Sequence, residues 1–398
     1  MSNNKPNPYK PTLTYQTNSF TKNRSENKEQ IDVLGLIKWD WANSGYRFTE
    51  ALKKLNLKAV SYKGTPLAYF NYPQQLPTLP ILSTPPVDMY PVTTNAQDDP
   101  TLQYLLDRAK VLYLFGTQYL ININLPTSTK VVVQHGGITY RDFPDVCNSI
   151  YNPIVSATIA QCPDLLKLGA KNEHLIYYPV DTDLIQPDYD FKDSDKLIIG
   201  HFPSNPMNKG TDTINQVIHK LKNSSLGNKF EYNGIPWRGA KHKKDHFVDW
   251  PDNLNRQRSS DIIIETCKPT LHGKPFGEWG NTAIEGSALG KIVVTNSLTP
   301  SLYAQEYGHC ALEINDGTAS GLEKSLIMLI ESSREKLLKR KHAARHWVVG
   351  KHSIEATALR LWEKVFRDIF PDKWTDQNLK QHAIDTWSKE FLDIKGWL

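Results

Sequence analysis

Apolar runs separated by glycines and polar loops predict most of the elements in this chain. Ile31-Asp32-Val33-Leu34-Gly35-Leu36-Ile37 is apolar almost throughout, as a strand buried on both faces must be. A polar loop over 38–45 follows, and then Phe48, Ala51, Leu52 and Leu55 recur at helical spacing. Ala59-Val60-Ser61-Tyr62 predicts a second strand, and the runs at 109–115 and 130–134 predict two more. After the acidic stretch 188–195 the series restarts with a strand at 196–200 and a helix over 211–221, whose Ile214, Val217, Ile218 and Leu221 share one face. Phe230 marks a further strand, as does 261–265. A helix over 281–289, stopped by Gly290, leads to a strand at 291–295. Helices are predicted over 323–346 and 353–370, with an amphipathic, Trp-bearing tail at the end. Strands alternating with helices specify parallel sheets covered by helices, so the fold class is α/β, in two halves.

Outside these series the pattern lapses. Residues 1–30 are rich in Asn, Lys, Pro, Ser and Thr without apolar periodicity, which predicts a mobile tail. The stretch 64–100 is rich in proline and aromatics and reads as an irregular insertion. The expected domains are therefore 31–188 and 189–352, with C-terminal helices over 353–398 packing back on the body. A length of 398 residues suits such a division, and 39% hydrophobic residues supply an ample core. The net charge of +5 is too small to specify nucleic acid, though it suits an anionic ligand or surface. No apolar run approaches the roughly 20 residues of a membrane span, and no charged-then-apolar leader opens the sequence, so a cytoplasmic protein is expected. Cys147, Cys162, Cys267 and Cys310 lack CxxC spacing and read as reduced.

Candidate chemistry concentrates in two segments. In Phe276-Gly277-Glu278-Trp279-Gly280-Asn281-Thr282-Ala283-Ile284-Glu285-Gly286, Gly280 lets backbone approach a ligand, and the first amides of the helix, at Gly280, Asn281 and Thr282, suit an anion. Glu285, one turn in, suits the vicinal hydroxyls of a ribose. The same pattern also describes a capped core helix carrying a surface Glu. In Gly200-His201-Phe202-Pro203-Ser204-Asn205-Pro206-Met207-Asn208-Lys209-Gly210-Thr211, the chain leaves the carboxyl end of a strand, where open α/β sheets bind ligands. Lys209 and the helix start at Gly210 suit a diphosphate, although a lysine before a helix is usually just solvated.

Between these segments lies Ile176-Tyr177-Tyr178-Pro179-Val180-Asp181-Thr182-Asp183-Leu184-Ile185-Gln186-Pro187. Over 154–296 the sequence resembles the glycosyltransferases of the GT-B fold, in particular the retaining family-four group. That family closes its first domain with a P-V-D-t stretch, opens its second with P-s-n…K-G-t-d, and follows with a G-x-x-x-x-E-a-x-a-x-G-k-P-V-v helix. Here the three occur in that order between Pro179 and Val294. The resemblance implies two Rossmann-like domains facing across a cleft. By position Glu285 matches the second of the family's paired glutamates, which holds the donor ribose, and Lys209 matches the lysine on the donor diphosphate. His135, before Gly136-Gly137, looks like the first-domain histidine near the transferred sugar, and Gly45 matches the glycine loop over the phosphates. The first glutamate of the pair falls on Gly277, with Glu278 one position on as a candidate substitute. The arginine that usually precedes the lysine falls on Ser204 or Pro206.

What the resemblance implies is a hexosyltransferase-like enzyme taking a sugar from a nucleotide diphosphate sugar to a hydroxyl of a glycan, lipid or protein, with retention and with neither metal nor other cofactor. The alternatives are a catalytically inactive GT-B-like binding protein and a nucleotide-sugar epimerase or hydrolase on the same fold. Asp181-Thr182-Asp183 has the form of a metal-binding DxD but sits in a domain connection, so a structural turn is expected. His242 and His246 have HxxxH spacing among lysines, and with Arg238, Lys241, Lys243 and Lys244 they read as a solvated loop rather than a metal or nucleic-acid site. Trp374, Trp387, Phe391 and Trp397 would serve either peripheral contact at the inner membrane face or packing on the body.

Overall fold

The structure, a computed structural model, describes residues 29–64, 72–79, 82, 93–95, 100–115, 119–121, 125–193, 195–234, 248–271 and 273–398. Nearly all of the expected tail, much of the proline-rich stretch and the whole basic loop carrying His242 and His246 lie outside the described residues.

The first lobe is a six-stranded parallel sheet. Its strands are β1 (Ile31–Ile37), β2 (Ala59–Lys63), β3 (Ala109–Phe115), β4 (Lys130–His135), β5 (Ala157–Ala160) and β6 (Glu173–Leu175), ordered β2-β1-β3-β4-β5-β6. The second lobe carries five parallel strands, β7 (Leu197–His201), β8 (Phe230–Gly234), β9 (Ile262–Ile264), β10 (Ile292–Asn296) and β11 (Glu313–Asn315), ordered β8-β7-β9-β10-β11. Each sheet reverses its winding beside its first strand, between β1 and β3 and between β7 and β9. Such switch points leave a crevice at the strands' carboxyl ends. The central strands read as apolar runs because helices cover both faces; Val33, Leu34, Val111, Leu112, Ile263 and Val294 are all buried.

The helices used below are α1 (Ser44–Lys54), α2 (Thr211–Lys222), α3 (Trp250–Arg258), α4 (Asn281–Ala288), α5 (Ala319–Ile330), α6 (Arg334–His352), α7 (Ile354–Leu361), α8 (Asp376–Thr386) and α9 (Lys389–Lys395). The helix expected over 323–346 is in fact two, α5 and α6. The chain breaks at 331–333 because Ser333 is an N-cap, its hydroxyl accepting the Lys336 N–H.

The chain passes between the lobes twice, and the crossings touch: Val180 N–H donates to the His352 carbonyl at 2.8 Å, and Val180 pairs with Ser353. From Ser353 the chain returns to the first lobe. Lys54 of α1 pairs with Glu355 of α7 at 2.7 Å. The indoles of Trp374 and Trp387 donate to the carbonyls of Leu55 and Lys54 at 2.9 and 3.1 Å, closing the carboxyl end of α1. Trp387 and Phe391 are buried in this packing. One apolar cluster runs from the first sheet through Tyr177, Trp279, Tyr303 and Trp347 to these C-terminal helices, and a second fills the far face of the second sheet between α2 and α5. Among the described residues no helix is long and apolar enough to cross a membrane.

Candidate active site

The switch point of the second sheet gathers polar groups that the surrounding core would otherwise exclude. Beyond β7, Asn205 caps a single helical turn, Pro206–Lys209, and Gly210 then takes a left-handed φ of 71° to start α2. A Cβ at Gly210 would stand 2.0 Å from the Cys267 carbonyl oxygen, so only glycine fits there. This turn aims Lys209 at the carboxyl end of β9, where its ammonium pairs with buried Glu265. Glu265 also accepts from the Thr295 hydroxyl of β10 at 3.1 Å and from the Gly280 N–H at 3.4 Å. The ammonium lies close enough to Gly280 that a Cβ there would be 3.7 Å from Nζ.

Gly280 is the N-cap of α4 and has no side chain to cap it; its own N–H is taken by Glu265, which leaves the amides of Asn281 and Thr282 to present the positive end of the helix. One turn in, Glu285 is only 4% exposed. Its Oε1 accepts from Arg47 Nη2 at 2.7 Å and from the Trp250 indole of α3 at 3.0 Å. Arg47 comes from α1 of the opposite lobe. Its Nη1 lies 3.4 Å from both the Asn281 side-chain oxygen and the Pro179 carbonyl. Burial is the largest influence and opposes the charge of Arg47, but Glu285, Tyr72 and Asp181 together outweigh it and hold the guanidinium pKa above its ordinary value. Tyr72 packs at a tilt against Trp250 with ring centroids 5.2 Å apart, and beside them a small, open hollow lies between Asn43, Tyr46, Asp181 and Trp250. Lys209, Gly280, Asn281, Thr282 and Glu285 thus meet at the start of α4, at the interface of the lobes, while Gly210 stands behind Lys209 against the Cys267 backbone.

The other candidates stand elsewhere. Gly45 lies at the start of α1, where its N–H donates to Asp40 at 2.7 Å and that of Tyr46 donates at 3.1 Å, so this helix start is filled by its own loop. Burial pushes the Asp40 carboxyl up to about 6, against the pull of those amides. His135 ends β4 and is held within the first lobe: it is 1% exposed, with its ring stacked on Tyr140 at 3.8 Å. Burial takes its pKa down to about 3, so the ring is neutral at physiological pH. Glu278 accepts from the N–H groups of Leu298 and Thr299 and from the hydroxyls of Ser297 and Thr299, at 2.6–3.2 Å, and so organises the loop after β10. Gly277 has a φ of 135°, and a Cβ there would fall 1.9 Å from the Asn296 amide nitrogen, so this backbone has no room for a glutamate at that position. Asp181 accepts from the N–H groups of Asp183 and Leu184, tying a turn in the connection between the lobes.

Two residues of the site carry no sequence motif. Glu265 was legible only as the polar end of an apolar strand, though a carboxylate at a strand's carboxyl end beside a switch point is itself a signal. Arg47 meets Glu285 across 238 positions of chain, which no local pattern reports.

No protein-family model matches the sequence, and no curated protein is significantly similar to it. Solved structures are similar in fold. A glycosyltransferase from Rickettsia africae aligns over 87% of this chain and 100% of its own, with a TM-score of 0.54 and 15% identity. A sucrose-phosphate synthase from Thermosynechococcus elongatus aligns over 85% of this chain and 99% of its own, with a TM-score of 0.55 and 12% identity.

Proposed function

We propose that this chain, which has the GT-B fold, is a glycosyltransferase that moves a sugar from a nucleotide diphosphate sugar to a hydroxyl acceptor. The observation that carries the reading is the meeting of Lys209 with the start of α4, which has no side-chain cap, one helical turn from the carboxylate of Glu285 at the interface of the lobes. Lys209 and the amides of Asn281 and Thr282 hold the diphosphate, and Glu285 accepts hydrogen bonds from the ribose hydroxyls. As the anomeric bond breaks, negative charge grows on the leaving phosphate. A fixed ammonium and helix dipole then stabilise the transition state more than the ground state. These groups supply the positive charge without a metal. With Glu265 paired to Lys209 and Glu285 to Arg47, the reading is front-face attack with retention, the acceptor hydroxyl passing its proton towards the departing phosphate.

Incubation with UDP-, GDP-, ADP- and dTDP-sugars tests the reading. A transferase releases sugar slowly to water and rapidly to acceptor. Lys209→Ala and Glu285→Ala should each weaken binding of the active nucleotide by about 1–3 kcal/mol, the range for a lost charged hydrogen bond. Unchanged affinity in both variants would remove these residues from the site. A second reading, a protein that binds nucleotide without turnover, draws support from Gly277, which has no room for the first glutamate, and from Glu278, which is committed to the 297–299 loop. Saturable nucleotide binding with no sugar release in the same assay would favour it.

A further inference from the structure

We propose that Arg47 is the second cation of the diphosphate site, lent by the first lobe and stored on Glu285 until a donor arrives. The inference rests on the donor reading above and adds to it a residue from the opposite lobe. In the structure each positive group at the start of α4 is already matched: Lys209 faces Glu265, and Arg47 faces Glu285. A diphosphate entering that arrangement brings about two further negative charges into a cleft walled by buried side chains, where unbalanced charge is costly. The turn after β7 offers no arginine to balance them, since Ser204 and Pro206 occupy the positions before Lys209.

Arg47 is placed to supply the difference. Its Nη2 is on Glu285 and its Nη1 is 3.4 Å from the side chain of Asn281, the first residue of α4. The guanidinium therefore already spans the distance between the carboxylate and the helix start. A ribose diol offers Glu285 two neutral donors, which can take the place of Arg47 and keep the carboxylate satisfied. The released fork then needs only side-chain rotation to reach the phosphate oxygens above Asn281 and Thr282, and its planar geometry matches them. Lys209 and Arg47 would grip the diphosphate from opposite sides of one helix start. Because Arg47 belongs to α1, the exchange also ties the first lobe to bound donor and keeps water from the reacting bond.

The test compares wild type, Arg47→Gln and Arg47→Lys by calorimetric titration with UDP, GDP, ADP and dTDP and with the four matching nucleosides at millimolar concentration. Glutamine still donates to Glu285, so it preserves the buried contact while removing the charge. Thermal melts confirm that each variant is folded, and Arg47→Lys keeps a positive charge should the glutamine variant not fold. For the nucleotide that wild type binds, the expected result is a diphosphate affinity about ten- to a hundredfold lower in Arg47→Gln, partly retained in Arg47→Lys, with nucleoside affinity equal or higher. A diphosphate-to-nucleoside affinity ratio unchanged in both variants overturns the role of Arg47 and leaves the donor reading standing. A wild type that binds none of the four diphosphates overturns both.

Discussion

Gly277 and Asp40 show how single residues set limits on this site. At Gly277 both the left-handed φ and the nearby Asn296 amide exclude a side chain. Gly277→Ala should therefore cost about 1–3 kcal/mol of stability, measurable by urea unfolding, with loss of the Asn296–Gly277 hydrogen bond as the structural trace. Asp40 gives a pH dependence of definite sign. Its pKa rises from the ordinary 3.8 to about 6 in the fold, so the folded chain holds the proton more firmly than the unfolded chain. That contribution is fully present below pH 3.8 and is lost as pH rises through about 6. Asp40→Asn removes it, and the stability difference between variant and wild type should shift in favour of the variant across this window by on the order of 3 kcal/mol. Buried His135 and His352 act in the opposite sense. Burial lowers each from 6.5 to about 3, so their contribution is intact above pH 6.5 and is lost as pH falls from there to about 3. His135→Phe keeps the stack on Tyr140 and should flatten the acid side of the stability profile.

Among the elements, legibility in the sequence followed burial and length. β1, β3, β9 and β10 were legible because strands covered on both faces are apolar throughout. β5, β6 and β11 were not: each has three or four residues, and Glu173-His174 and Glu313 break any apolar run. The first turn of α4 could be read from Gly280 and Glu285 because an N-terminus and a residue one turn in are local features. The role of the C-terminal helices depended on contacts with α1 more than 300 positions away, so only an amphipathic face was visible. Those contacts carry measurable weight. Trp387 is buried and closes the end of α1, so Trp387→Ala should cost about 3–5 kcal/mol, read from chemical denaturation. A change below about 1 kcal/mol would mean that α8 and α9 are only loosely docked.

For the whole molecule the continuous apolar cluster has a thermodynamic consequence. Tyr177, from the connection between lobes, donates from its hydroxyl to the Trp279 carbonyl at 3.2 Å and from its N–H to the Tyr307 hydroxyl at 2.7 Å. Neither lobe can lose its packing without opening this shared interior. Thermal unfolding followed by far-ultraviolet circular dichroism and by tryptophan fluorescence should therefore give coincident midpoints, and two separated transitions would show that the lobes melt independently.

The adjoining crossings at Val180 and Ser353 also govern how the molecule can move. Because the shared interior around Tyr177, Trp279 and Tyr303 also binds the lobes, sliding or twisting would tear it, and the movement left is a swing about the crossings, like a door on its pin. The gap between α1 and α4 must then widen most at the edge farthest from the pin, and molecules entering or leaving the interior pass through that outer edge.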